Sequence, residues 1–159
     1  MRNLILIGFS FILINLGCDS KKFKPGSFKE ICKLVIDKTI IFDNALNEGD
    51  SLYLDFSNDL DLNNSDKSEI IDYVNKKFKY KVGLSSLQSL ISNDTIFKTK
   101  FYLKNFFISI DELQFINSKK ISIKSQKYKG SLAAIVVETI FEFKDKKWRL
   151  KSSLIISAS

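Results

Sequence analysis

The chain reads as an α+β protein: N-terminal helices packed on a curved C-terminal antiparallel sheet. Three observations lead there. Apolar residues recur at helical spacing in residues 27–46 and again in 66–79. Beyond about residue 105 the spacing changes to every second residue. Helices first and strands last are the order of an α+β domain, with the helices on one face of the sheet. A thirteen-residue apolar run, residues 4–16, belongs to neither pattern and ends at Gly17-Cys18.

That run has the build of an export leader. Arg2 supplies a positive start, the apolar stretch follows, and Asp19, Ser20, Lys21 and Lys22 return the chain to polar character. A helix that spans a bilayer needs roughly 20 apolar residues, whereas the core of a signal peptide has ~7–15. Asn15-Leu16-Gly17-Cys18 resembles the bacterial lipobox. The usual branched aliphatic residue three before the cysteine is Asn15 here, and the usual small residue after it is Leu16. The resemblance implies removal of residues 1–17, lipidation of Cys18 with acylation of its new amine, and a lipid bilayer as the first partner. It places the protein in the bacterial cell envelope, outside the cytoplasm. Two or three acyl chains hold a protein stably where one does so only marginally. Residues 18–27, lysine-rich with Pro25 beside Gly26, then read as a flexible tether. Residues 28–159 read as a single domain.

The helix over residues 27–46 sets Phe28, Ile31, Val35, Thr39, Phe42 and Leu46 on one face, with Gly49 as its stop. Residues 51–57 alternate as a short strand through Leu52, Leu54 and Phe56. Asn63-Asn64-Ser65 make a turn, and Asp66 with Glu69 resembles a capping box opening a second helix to Lys79. Its core stripe is Ile70, Ile71, Val74 and Phe78. Ser85 with Gln88 opens a third, short helix through Ile91. Strands follow over 106–116, 119–126, 132–144 and 148–157, with a less regular stretch at 101–103. Ile135, Val137, Thr139, Phe141 and Phe143 share one face; so do Trp148, Leu150, Ser152, Leu154 and Ile156. The last two strands form a hairpin around Asp145-Lys146, in which Phe143 faces Trp148, Glu142 faces Arg149 and Phe141 faces Leu150. The loop lacks glycine, which a tight two-residue turn prefers. This element order and the closing Trp148 hairpin are similar to cystatin-like and NTF2-like folds, in which a curved sheet wraps a helix. Gly130-Ser131 is the expected bend. That resemblance spans enzymes, binders and scaffolds.

Composition narrows the chemistry. The chain has no histidine, which removes the usual Ser-His-Asp and Cys-His arrangements and the commonest metal ligand. Six glycines leave little room for a phosphate loop. With Arg2 lost in the leader, 24 basic side chains face 18 acidic ones, and Arg149 is the one arginine left. A lysine-only basic balance argues against nucleic acid as a partner. The charge is uneven: residues 43–66 hold seven acids and no base, residues 119–159 ten bases and three acids. Solvation accounts for most of this, and an anionic surface facing the basic part is a weaker reading.

Individual candidates are few. Cys32 sits on the apolar side of the first helix and reads as a small buried hydrophobe. Asp59-x-Asp61-x-Asn63 begins like an EF-hand calcium loop. The sixth position is Asn64 where glycine belongs, and the twelfth is Ile70 where a bidentate glutamate belongs. A polar turn leading into a capped helix is the stronger reading, so Asp59, Asp61 and Asn63 stay weak metal candidates. Asp111 and Glu112 alternate to opposite faces of the 106–116 strand, and Glu138 and Glu142 lie on the charged outer face of the 132–144 strand, all read as solvated surface. Phe97, Phe101, Tyr102, Phe106 and Phe107 read as core packing, or as an apolar groove. The sequence therefore implies no cofactor and no catalytic set. It implies a non-catalytic binding or scaffold module whose partner is an envelope protein, a polymer or an apolar ligand. A carboxylate-based envelope enzyme with a cone-shaped pocket, or an inhibitor or immunity protein, are the alternatives.

Overall fold

The computed structural model describes residues 27–86, 105–129 and 133–158, apart from the side chains of Ser27 and Asp59. The leader with Cys18, most of the third helix expected at 85–91, the stretch 101–103 and the Gly130-Ser131 bend lie outside the described residues. Two helices, α1 (Ser27–Ile41) and α2 (Asn64–Phe78), accompany a six-stranded sheet: β1 (Ser51–Phe56), β2 (Lys81–Leu84), β3 (Asn105–Asn117), β4 (Lys120–Tyr128), β5 (Ala134–Lys144) and β6 (Lys147–Ala158). The strand order is β2-β1-β3-β4-β5-β6.

The sheet is mixed: its C-terminal strands are antiparallel as expected, and β1 adds two parallel pairs that were not expected. Strands β3 to β6 form an antiparallel meander. β1 instead pairs in parallel with both neighbours, Leu52 opposite Val82 on β2 and Phe106 on β3. The β1–β2 connection runs through α2, as a parallel pair requires a crossover. β2 is four residues long and carries Lys81 and Gly83, too short and mixed to show a period. Gly83 lies against the Tyr53 ring, where a Cβ would sit 3.2 Å from the ring edge.

One face of the sheet meets the helices. Leu52, Leu54, Phe106, Ile108, Ile110, Ile121, Ile123 and Phe141 pack there against Ile31, Cys32, Val35, Ile36 and Ile40 of α1 and Ile70 and Val74 of α2. The predicted stripe of α1 is in place: Phe28, Ile31, Val35 and Thr39 are buried. Thr39 shares a 2.6 Å hydrogen bond with Ser125 of β4. The helix nevertheless stops at Ile41, short of the expected Leu46. Asp43 takes a left-handed conformation (φ 51°), and a 3-10 turn over Asn44–Asn47 follows. The cause is Lys127. It occupies an inward position of β4, continuing the phase of Ile121, Ile123 and Ser125, and is fully buried. Its Nζ donates to the carbonyls of Ile40 (3.2 Å), Phe42 and Asp43 (2.9 Å) and to Asn47 Oδ1 (2.7 Å). Helix ends leave carbonyls without partners, and a cation there also complements the helix dipole.

Helix α2 starts at Asn64, two residues before the expected Asp66 and inside the expected turn, with a different cap. Asn63 Oδ1 accepts the Asp66 N–H at 2.9 Å and Asp66 returns to the Asn63 N–H at 3.4 Å. Glu69 pairs with Lys29 of α1 instead, at 2.6 Å. Aspartate at the third helical position therefore does the reciprocal job that Glu69 was expected to do from the next turn.

The final hairpin keeps the predicted register: Phe143 opposite Trp148, Glu142 opposite Arg149, Phe141 opposite Leu150. Its turn is two residues, with Asp145 (φ 52°) and Lys146 (φ 62°) both left-handed. Such turns match strand twist, at a steric cost for residues with a Cβ. Two expectations fail here. The Phe143–Trp148 pair, with centroids 5.3 Å apart, lies at the rim, and Phe143 is exposed rather than buried. The common face of Trp148, Leu150, Ser152, Leu154 and Ile156 does not persist, because the register skips Lys151 and then Ile156. Beyond the first skip Ser153, bonded to Thr139 at 3.0 Å, takes the inward phase.

Two outcomes follow. Burial pushes the Lys127 ammonium down from 10.5 to about 8, against the pull of Asp43. Between about pH 8 and 10.5 the unfolded chain therefore binds more protons than the folded one, and stability from this residue rises with pH across that window. Lys127→Met should lower unfolding stability at pH 7 by about 2 kcal/mol through orphaned oxygens. The variant should also lack the alkaline rise in urea midpoint that the native chain shows. Lys146→Gly should raise stability by about 0.5–1 kcal/mol by relieving the left-handed turn, read from the thermal midpoint.

Candidate functional site

The sheet face turned from the helices carries a polar group built around a bulge. β3 pairs with β4 as Ile110 opposite Ser125, then Glu112 opposite Lys124, so Asp111 has no partner across the ladder. A bulge re-aims the side chain it carries. Registers place Tyr53 and Asp55 of β1 beside Phe107 and Ser109 of β3, and these beside Tyr128 and Gln126 of β4. The Tyr53 and Phe107 rings stack with centroids 5.3 Å apart. The Tyr128 hydroxyl donates to Gln126 Oε1.

The electrostatics follow from this crowding. Asp111 stands at the open edge of the group, yet burial of its carboxyl raises its pKa; Ser109 and Gln126 oppose the rise and the Asp55 charge adds to it. Burial also raises Tyr128, helped by Asp111 and Asp55. The group thus offers a carboxyl that keeps its proton more readily than a free one, a phenol and a carboxamide, all beside an aromatic pair. Such a set can exchange hydrogen bonds with a polar, uncharged ligand and disfavours an anionic one.

The bulge also overturns the expectation that Asp111 and Glu112 diverge. Alternation breaks at Asp111, and Glu112 pairs with Lys124 at 2.7 Å, one step along the face that holds Gln126. Glu138, across from Lys124, accepts the Ser122 hydroxyl at 2.6 Å. Glu142 lies 3.6 Å from Lys151 at the exposed edge.

The remaining candidates are structural or dispersed. Cys32 is fully buried, and burial pushes its thiol up to about 12, far from a nucleophilic thiolate. Asn63 spends its side-chain oxygen on the helix cap, and Asp61 is exposed at a left-handed position (φ 40°). Among the described residues, no three His, Cys, Asp or Glu side chains come together as a metal site. Phe106 and Phe107 are buried; Phe97, Phe101 and Tyr102 lie outside the described residues. No described helix is long and apolar enough to cross a membrane.

One cluster had no counterpart in the sequence reading. Asp37, buried on α1, accepts from the Tyr73 hydroxyl (2.7 Å) and Lys77 Nζ (2.5 Å) of α2 through Oδ2. Lys77 lies 5.1 Å from the Tyr73 ring centroid. With Lys29 bridging to Asp66 and Glu69, these contacts lock the two helices side by side. The only sequence signal was Asp37 sitting among Val35, Ile36 and Ile40.

Asp111→Asn tests the strain in the polar group. A carboxyl whose folded pKa is raised contributes stability at low pH and loses it as pH climbs through the carboxylate range. The unfolding midpoint of the variant should therefore gain on that of the native chain as pH rises above the ordinary aspartate value of 3.8, with circular dichroism as the readout. No protein-family model, curated protein or solved structure matches this chain.

Proposed function

We propose that this chain is a membrane-anchored bacterial lipoprotein whose folded body is a non-catalytic binding or scaffold module in the cell envelope. One observation carries the reading: the apolar run of residues 4–16 that closes on Gly17-Cys18 and gives way at once to polar chain. The non-catalytic part is supported by what the buried ionisable groups do. Lys127 closes α1, Asp37 joins α1 to α2, and the Cys32 thiol is held protonated. The surface around Asp111, Gln126 and Tyr128, with Tyr53 beside it, suits an envelope polymer rich in hydroxyl and amide groups. Helix α1 lying on the β3–β6 meander favours a cystatin-like or NTF2-like relationship; the parallel pairs of β1 depart from it.

A second reading is favoured by one observation. Asp111, with its raised pKa beside Tyr128, is what a carboxylate-based envelope enzyme would use as a proton donor.

The anchor is tested by intact mass of the chain recovered from membranes. The expected product begins at Cys18 and carries a diacylglyceryl group plus an amide-linked acyl chain, and Cys18→Ala leaves the membrane fraction. A cytosolic product that retains residues 1–17 overturns the reading.

A further inference from the structure

We infer that the tips of the β3–β4 and β5–β6 hairpins form one contact surface for an anionic lipid bilayer. The two tips lie side by side, since the Phe143 N–H donates to the Lys119 carbonyl at 2.7 Å and Lys120 faces Glu142. Three large apolar side chains stand out there: Phe115 is 57% exposed, Ile116 46% and Phe143 38%. Lys119, Lys144, Lys146 and Lys147 surround them, all exposed. The nearest acids are engaged, Asp145 by Arg149 at 2.9 Å and Glu142 by Lys151 at 3.6 Å. Apolar groups ringed by lysines fit the boundary between acyl chains and anionic headgroups. A soluble polyanion would use the lysines and leave the exposed apolar surface of Phe115 and Ile116 in water, so the bilayer is the better occupant.

Position supports this. Thr39 meets Ser125 and the last α1 carbonyls meet Lys127, so α1 ends at the β4 end remote from the tips. The helix rises about 22 Å over its fifteen residues, and β4 runs about 20 Å from Ser125 back to the turn. Ser27 thus begins α1 on the side of the sheet from which the hairpins project. On the lipoprotein reading, on which this argument of position rests, Cys18 is nine residues upstream of Ser27, a reach of at most about 30 Å. That lets the tips touch the membrane that holds the anchor.

Trp148 is the one tryptophan in the chain and its ring lies tilted against Phe143, centroids 5.3 Å apart, so it reports contact directly. The chain purified from membranes is mixed with vesicles of phosphatidylcholine alone, or with about 30% phosphatidylglycerol, both carrying brominated acyl chains. The expected result is quenching of Trp148 fluorescence on the anionic vesicles, weakened by salt and abolished by Phe115→Ser with Ile116→Ser, both exposed positions. Lys119→Gln, Lys144→Gln and Lys146→Gln should each lower the salt-sensitive partitioning about fivefold. Flotation with zwitterionic vesicles at high salt reads the anchor separately. A chain that floats without quenching keeps the anchor and overturns the tip contact. One that quenches on anionic vesicles but fails to float at high salt keeps the tip contact and overturns the anchor. Lysine-dependent binding without quenching shows headgroup or polyanion attraction only, and overturns the inference.

Discussion

The fold depends on one buried ammonium. Lys127 stands where an apolar residue would sit in the phase of β4, and it satisfies carbonyls at the end of α1 that no other described side chain reaches except Asn47, which donates to Ile40. It fixes where the helix stops, how far along the sheet the helix lies, and the direction in which the chain leaves toward β1. The Thr39–Ser125 bond beside it fixes the same interface from the helix side. Leu46 then packs with Ile135 and Val137 in a smaller apolar cluster beyond the helix end. A charge buried this deeply is tolerated only because its donors are all spoken for.

The two faces of the sheet carry different kinds of information. The helix face is filled mostly by aliphatic and phenylalanine side chains of similar chemistry, with Lys127 and the Thr39–Ser125 pair as its polar exceptions. The other face is set by departures from regularity: the extra residue at Asp111, the close approach of Gly83 to Tyr53, and the parallel strands that bring Asp55 beside Ser109. These departures gather polar groups that a uniform antiparallel sheet would have spread along its length.

What could be read from the residues divides along the same line. Periodicity found both described helices, β1 and the four strands of the meander, and cross-strand chemistry found the register of the last hairpin, because Phe141, Glu142 and Phe143 each have one suitable opposite number. It could not find the parallel pairing. Four residues of β2 have no period, and parallel partners are chosen by tertiary packing. The end of α1 was missed because the spacing of Phe42 and Leu46 continues the helical phase, while the group that stops the helix lies over eighty residues away. Lys127 left a trace, a lysine in an inward phase, and so did Asp37 among aliphatics. The bulge at Asp111 left none beyond an acid interrupting an apolar strand. The lipid anchor proposed at Cys18 rests on the sequence alone.

The outermost strand of the meander has a consequence of its own. β6 closes one side of the sheet with twelve residues, three of them, Leu154, Ile155 and Ile156, apolar and in the open. A flat edge of that length would invite a neighbouring copy to extend the sheet. The skipped positions at Lys151 and Ile156 interrupt its row of donors and acceptors, so no intruding strand finds a long uninterrupted ladder. The irregularities that hide this strand's pattern from the sequence also protect the protein from polymerising along it.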